Sequence, residues 1–312
     1  MESLLVATNV VLPMALIVLI GVIVRITNIS DRATMKRVDN LIFKVTMPLV
    51  SFYNLYKTDF SQLNNFGYII YASAVMLILF AYGMWVVPKY VHPRATASSY
   101  GQVMFRSNYL IFGTAVATSI YGVGNIGAMS LLGAVFVPLS NMQASILLEA
   151  GRNGSASTKK LLLAVAKNPT VVATVLGLAV NFSGIRIPDL LLGVIKDVSG
   201  LTTPLSFLSI GVSLNLVTTT GKKGHLASAV ALRLLIIPAI FIGIGILLGF
   251  RGQELCALMI AFAAPAAVIS YPMAVAMDAD GDFAAQLVAL TTIGCLPTFF
   301  FWTWLLSYLQ MM

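Results

Sequence analysis

The stretch Ala264-Pro265-Ala266-Ala267-Val268-Ile269-Ser270-Tyr271-Pro272 sits inside an apolar run that extends from about residue 253 to 277. Each proline removes a backbone donor and pushes the residue before it, Ala264 or Tyr271, towards extended geometry. The stretch therefore predicts a membrane-crossing helix broken near mid-membrane. Free N–H and C=O groups at that depth are tolerated only against protein or in a wet cavity, so such a break points to function. A second break is predicted at Arg106-Ser107-Asn108-Tyr109-Leu110-Ile111-Phe112-Gly113, where polar residues and a glycine enter an apolar run. Adding 157 to 108 gives 265, which places the two breaks at equivalent positions.

The whole chain supports a membrane setting. Of its 312 residues, 59% are hydrophobic and 10% charged, against about 25% charged in a soluble domain, and the mean hydropathy is +0.92. Ten helical segments are predicted at about 4–26, 36–57, 66–87, 97–121, 125–150, 168–184, 188–217, 224–249, 253–277 and 283–310. The N-terminal run lacks the basic start and cleavage site of a secretory signal and is read as the first membrane helix. The net charge of +8 is assigned to membrane orientation, with no nucleic acid as partner. Lys and Arg gather in the odd-numbered connections, as Arg25, Arg32, Lys36, Arg37, Lys89, Arg94, Arg152, Lys159, Lys160, Lys167, Lys222 and Lys223. The even-numbered ones hold Lys57, Arg186 and Arg251. Cytoplasmic loops carry the excess of base, so both termini are expected outside the cytoplasm. The ninth connection is the exception, with Asp278, Asp280 and Asp282 and no base.

An internal repeat is visible without alignment. Pro13 and Gly21 recur as Pro169 and Gly177, Pro48 as Pro204, Ala72-Ser73-Ala74-Val75 as Ala227-Ser228-Ala229-Val230, and Pro138 as Pro297. These markers divide the chain into a five-helix unit at 1–150, a cytoplasmic linker at 151–167 with a short interfacial helix, and a second five-helix unit at 168–312. Five is odd, so the second unit enters the membrane from the opposite side. Inverted repeats of this kind mark secondary transporters, whose substrate site lies near the midplane where the copies meet. The N-termini of half-helices carry partial positive charge and unpaired donors, which favours an anion.

The segment Asn108-x-Leu110-x-x-Gly113, the proline-broken ninth helix and the ten-helix layout with a central hydrophilic loop resemble the auxin efflux carrier family, whose bacterial members include malate and malonate permeases. The resemblance spans nearly the whole chain. It implies an all-α fold like that of the bile acid sodium symporters, with the fourth and ninth helices broken and crossed. Helices 1, 2, 6 and 7 would form a scaffold and homodimer surface, and helices 3–5 and 8–10 a mobile unit moving in an elevator fashion. It also implies that Asn108 contacts a carboxylate substrate. Ser107 stands where family members often have proline, and the linker is far shorter than that of the plant carriers. The short linker, and the lack in 65–87 of any counterpart to the acidic and basic pair of the plant carriers' third helix, argue against a plant-hormone substrate and favour a carrier of small organic acids in a plasma membrane.

The residues singled out for substrate are Asn108 and Pro265, then Arg106, Ser107, Gly113, Ser270, Tyr271 and Asn141. Arg106 could equally be a cytoplasmic anchor, and Asn141 and Gln143 could bond between helices. Lys44, Lys196, Asp197 and Arg233 are costly in hydrocarbon and are expected to face a cavity or a partner, as candidates for coupling or gating. His92 and His225 are read as surface residues, and Cys256 and Cys295 as buried free thiols. The glycines of 122–127 match a nucleotide-loop pattern without its strand, and read as a turn. Asp278 to Asp282 has the wrong glycine position for a calcium loop and reads as a helix cap. No cofactor or metal is expected, no protease, hydrolase or ATP-binding motif is found, and an enzyme is not expected. The alternatives are a sodium-coupled symporter, a passive channel and a sensor that binds its ligand without moving it.

Overall fold

The computed structural model describes residues 2–58, 66–122, 127–153, 163, 166–213 and 221–312. Those residues are nearly all helical, and the sole strand-like feature among them is one isolated antiparallel bridge. Each of the ten predicted segments is helical. The first is α1 (Glu2–Ile26), and the second is α2 (Arg32–Leu41) with α3 (Met47–Lys57). The third is α4 (Gly67–Ala81), the fourth α5 (Arg94–Phe105) with α6 (Tyr109–Tyr121), and the fifth α7 (Gly127–Asn153). In the second half follow α8 (Pro169–Ser183), α9 (Asp189–Gly200) with α10 (Thr202–Ser213), and α11 (Lys223–Ala231) with α12 (Ile237–Leu247). The ninth segment is α13 (Gly252–Ala263) with α14 (Ser270–Ala276), and the tenth is α15 (Gly281–Tyr308). The interfacial helix expected in the linker, and most of the glycine turn at 122–127, lie outside the described residues.

Among the described residues, Gly67–Lys89, Gly127–Arg152, Asp189–Ser213, Lys223–Leu247 and Gly281–Tyr308 are each long and apolar enough to cross a membrane. The half-helices α6 and α13 are apolar but short, because the breaks cut their segments in two. Large apolar side chains such as Leu190, Leu247, Ile70 and Trp85 are exposed on the outside, which suits a surface solvated by lipid tails.

Three helices widen into a π turn, at Ile42–Thr46, Tyr82–Val86 and Leu232–Ile236. Each widening ends two residues before a proline, namely Pro48, Pro88 and Pro238. The cause is local. A proline cannot donate to the carbonyl four residues back, and its ring collides with that carbonyl. The carbonyls in question belong to Lys44, Met84 and Leu234, each in the middle of a π turn. Opening the turn removes the collision and re-aims the side chains that follow.

Two glycine contacts fix the outer half of the molecule. Gly21 of α1 lies so close to α10 that a Cβ there would meet the Leu208 carbonyl oxygen at 2.3 Å, and Gly177 of α8 lies so close to α3 that a Cβ would meet the Phe52 carbonyl oxygen at 2.9 Å. Both members of the second contact are displaced by 156 from the first, since 21 + 156 = 177 and 52 + 156 = 208. The centre is occupied by the broken segments. Every residue from Thr96 to Tyr109 and from Leu255 to Val268 is buried, so α5 and α13 are enclosed on all sides.

Candidate functional site

The two breaks meet. After α5 the chain is extended at Arg106 (φ −100, ψ 106), and after α13 it is extended at Ala264 (φ −64, ψ 152) as the following proline demands. The extended pieces run antiparallel with Ser107 paired to Ala266. The Asn108 amide donates to the Pro265 carbonyl at 2.8 Å, and the Ala267 amide to the Arg106 carbonyl at 3.2 Å. The Ala266 amide donates to the Thr291 hydroxyl of α15 at 3.2 Å.

This pairing corrects one expectation. Backbone donors at the breaks are largely consumed by the crossing itself, and the first amides of the short α14 are used as well, Ser270 donating to Ala267 and Tyr271 to Val268. The unsatisfied groups are side chains instead. The Asn108 amide nitrogen, the Arg106 Nε and the hydroxyls of Ser107 and Ser270 are all buried without a hydrogen-bond partner. They lie on consecutive residues of one break and on the first residue of α14.

Arg106 is 1% exposed, which excludes the snorkelling anchor considered above. Its guanidinium donates to Asn141 Oδ1 at 2.7 Å, to Met273 Sδ at 3.0 Å and to Gln102 Oε1 at 3.4 Å. All three partners are neutral. Asn141 is held in turn by Ser51 of α3 at 3.3 Å, and Gln102 donates to the Ser270 carbonyl at 3.1 Å. The elements around the crossing thus converge on a buried cation that has no anion among the described residues.

Arg233 is equally buried but fully employed. Projecting from the π turn of the eighth segment, it donates to the carbonyls of Ala264 (2.7 and 3.1 Å), Ala261 (3.2 Å) and Met104 (3.2 Å). These carbonyls end α13 and α5, where the helix dipoles place negative charge. Its site is therefore a double C-cap that stabilises both breaks, a role that the sequence reading left open.

Other predicted residues fall elsewhere. A Cβ on Gly113 would meet Met129 at 2.4 Å and Ile260 at 3.3 Å, so that glycine serves helix packing. Lys44, Lys196 and Asp197 are exposed on the outside of the second and seventh segments, which leaves a partner, and not an internal cavity, for them to face. Tyr271 is buried and faces Ser209, Ser213 and Asp39. Cys256 and Cys295 are buried free thiols. Gln102, Ser51, Met273 and Asp39 were not anticipated. For Asp39 the available signal was a lone acid in the first turns of an apolar segment.

The acidic ninth connection explains its own exception. Asp278 pairs with Arg152 at 3.0 Å, Asp280 with Lys222 at 2.5 Å and Asp282 with Arg32, so each aspartate answers a base from a different odd-numbered connection. Asp280 also caps α15 through the Phe283 amide and accepts from Thr96 at 2.6 Å. Burial pushes its carboxyl up, but the bonds from Lys222, Thr96 and Phe283 outweigh that and hold it below the ordinary carboxylate value. Among the described residues no cluster suited to a metal ion occurs.

Residues 152–303 match the family described as membrane transport protein. Two relatives match along almost the full length. An uncharacterized transporter from Methanothermobacter thermautotrophicus is 24% identical over 95% of this chain and 97% of its own, and one from Methanocaldococcus jannaschii is 24% identical over 96% and 98%. The fold is also that of a sodium proton antiporter from M. jannaschii, with a TM-score of 0.64, 12% identity and coverage of 95% of this chain and 97% of the other. The second half of the chain is thus similar to membrane transport proteins, and the whole chain to two uncharacterized transporters, in keeping with the resemblance drawn from the sequence.

Proposed function

We propose that the protein is a secondary carrier of a small organic anion, a carboxylate such as malate or malonate, working by alternating access. The observation that carries this reading is the unpaired charge of Arg106. A buried cation without a counter-ion costs several kcal/mol, and here it lies beside orphaned donors on Asn108, Ser107 and Ser270. A carboxylate bound at the crossing satisfies both needs, its oxygens accepting from Arg106 Nε and Asn108 while the serines orient it. Proline at 265 keeps the break open and leaves the Pro265 carbonyl to hold Asn108 in place.

In this reading the fourth and ninth segments travel together, because the antiparallel bridge and Arg233 tie them into one body. The first, second, sixth and seventh segments stay behind as a scaffold, joined by the Gly21 and Gly177 contacts. The equal displacement of those contacts supports the division at 1–150 and 168–312 into inverted units. A homodimer through the scaffold is supported by Lys44, Lys196 and Asp197, which lie exposed in membrane segments and which a second copy could pair and shield. The excess of Lys and Arg in the odd-numbered connections supports a plasma-membrane carrier with both termini outside the cytoplasm.

The test is counterflow in proteoliposomes. Vesicles preloaded with unlabelled mono- or dicarboxylates should draw in the labelled acid transiently against its gradient, and Arg106→Gln should abolish the overshoot. A channel or a non-transporting sensor gives no overshoot with any acid, and that result across the panel would sink the reading.

A further inference from the structure

Asp39 stands outside the site just described. It is fully buried in α2, where the hydroxyls of Ser209 and Tyr271 face its carboxylate without closing to full hydrogen-bonding geometry. α2 packs against α10, α14 and the π turn that follows it. From α10 comes Ser209, itself buried with its hydroxyl unpartnered, and from α14 comes Tyr271. Tyr271 is the one titratable group that faces Asp39 from these elements. α10 carries no charged residue, and the bases of α2 and the π turn, Arg32, Lys36, Arg37 and Lys44, are all exposed on other faces. No cation among the described residues therefore balances an ionised Asp39. Leaving such a charge unpaired in a low-dielectric interior is far costlier than binding one proton.

The position gives the proton a use. α2 and α10 belong to the proposed scaffold and α14 to the proposed mobile half of the ninth segment, one residue from the orphaned hydroxyl of Ser270. We propose that Asp39 is a proton-binding site of the transport cycle, occupied while α14 is seated on the second segment and vacated to water when α14 slides off. An O–H bond forms on one carboxylate oxygen with a proton from water at one membrane face, and the same bond breaks to water at the other. The proton-bearing oxygen can donate to the hydroxyl of Ser209 or Tyr271, the two that face it. This inference rests on the carrier reading above and adds its driving ion.

The experiment uses the full chain in proteoliposomes with radiolabelled malonate as probe, comparing the wild type with Asp39→Asn and Asp39→Glu. Wild-type accumulation should respond to a pH gradient, by up to about tenfold per unit for one coupled proton. D39N should keep malonate counterflow within about twofold while losing the response, and D39E should keep part of it. A gradient response unchanged in D39N overturns the proposal. So does a response to sodium in place of protons that D39N removes. If neither protein exchanges malonate, the carrier reading fails for that acid and thermal unfolding in detergent decides on Asp39. A carboxyl kept neutral by the fold loses stability to ionisation as the pH rises, so the wild-type midpoint should fall more steeply between about pH 4 and 8 than that of D39N. Parallel profiles overturn the assignment.

Discussion

The backbone amide of Asn108 donates to the carbonyl of Pro265 at 2.8 Å, joining the break of the fourth segment to that of the ninth. The bond aligns the Asn108 side chain with the crossing and leaves its amide nitrogen without a partner. Proline at 265 supplies the acceptor and cannot compete as a donor, so the pair is asymmetric.

Asn108→Ala should therefore weaken carboxylate binding while preserving the crossing, because the backbone bond survives the change. A hydrogen bond to a charged group contributes about 1.5–3 kcal/mol, which corresponds to roughly a 10- to 150-fold loss of apparent affinity. Titration of the purified protein by a carboxylate-induced thermal shift reads this directly. An unchanged midpoint concentration would remove Asn108 from the site.

Arg106→Gln separates stability from function. In the free protein the substitution removes a buried charge whose partners are all neutral, so the unliganded thermal midpoint should hold or rise. Carboxylates should then no longer raise it. A large fall in the unliganded midpoint would mean that Arg106 is a structural residue.

Gly21→Ala and Gly177→Ala should both loosen the packing of the first two segments against the sixth and seventh, with Gly21 the more sensitive. An added methyl meets backbone oxygen at 2.3 Å in the first case and 2.9 Å in the second, and backbone cannot swing aside as a side chain can. Gly193→Ala, where nothing lies within 4 Å, should stay within about 0.5 kcal/mol of wild type. Thermal inactivation of the three variants ranks them, and equal loss at all three positions would contradict the packing argument.

Asp280→Asn should lower the thermal midpoint at neutral pH, since it removes the partner of Lys222 and weakens the cap of α15. The folded protein holds this carboxyl below its ordinary value of 3.8. The stability it contributes is thus fully present above that value and is lost as the pH falls through the lower folded value. The gap between wild type and variant should close on acidification. A gap that does not narrow at all as the pH is lowered below the ordinary carboxylate range would show that geometry and not charge is at stake.

Much of this architecture was legible in the chain. Two prolines at 265 and 272 and a polar stretch at 106–108 are enough to break apolar helices, and hydropathy alone delimits the ten segments. The sequence spacing of 157 put Asn108 and Pro265 in register, and the structure brings their backbones within bonding distance. Other features needed three dimensions. That the crossing consumes its own backbone donors depends on two extended pieces meeting at bonding distance, which no periodicity encodes. Asp39 was overlooked because one acid near the start of an apolar run looks like an interfacial residue until its neighbours are known. Lys44, Lys196 and Asp197 make the converse point, since their depth in the sequence says nothing about which face of the helix they occupy. The π turns were foreshadowed by Pro48, Pro88 and Pro238, but a proline predicts disturbance and not its form.

The three ion pairs of the ninth connection differ in their shelter from water. Lys222 and Asp280 are 32% and 14% exposed, against 41% and 39% for Arg32 and Asp282, and 50% and 58% for Arg152 and Asp278. Added electrolyte weakens exposed pairs first. In the proposed carrier the Lys222–Asp280 clasp lies inside the moving half, and it should then outlast the tether from Asp282 to Arg32, which reaches across to the second segment. Ionic strength would act as a throttle on turnover long before it threatened the fold, and rates measured across a salt series at fixed acid concentration would register it.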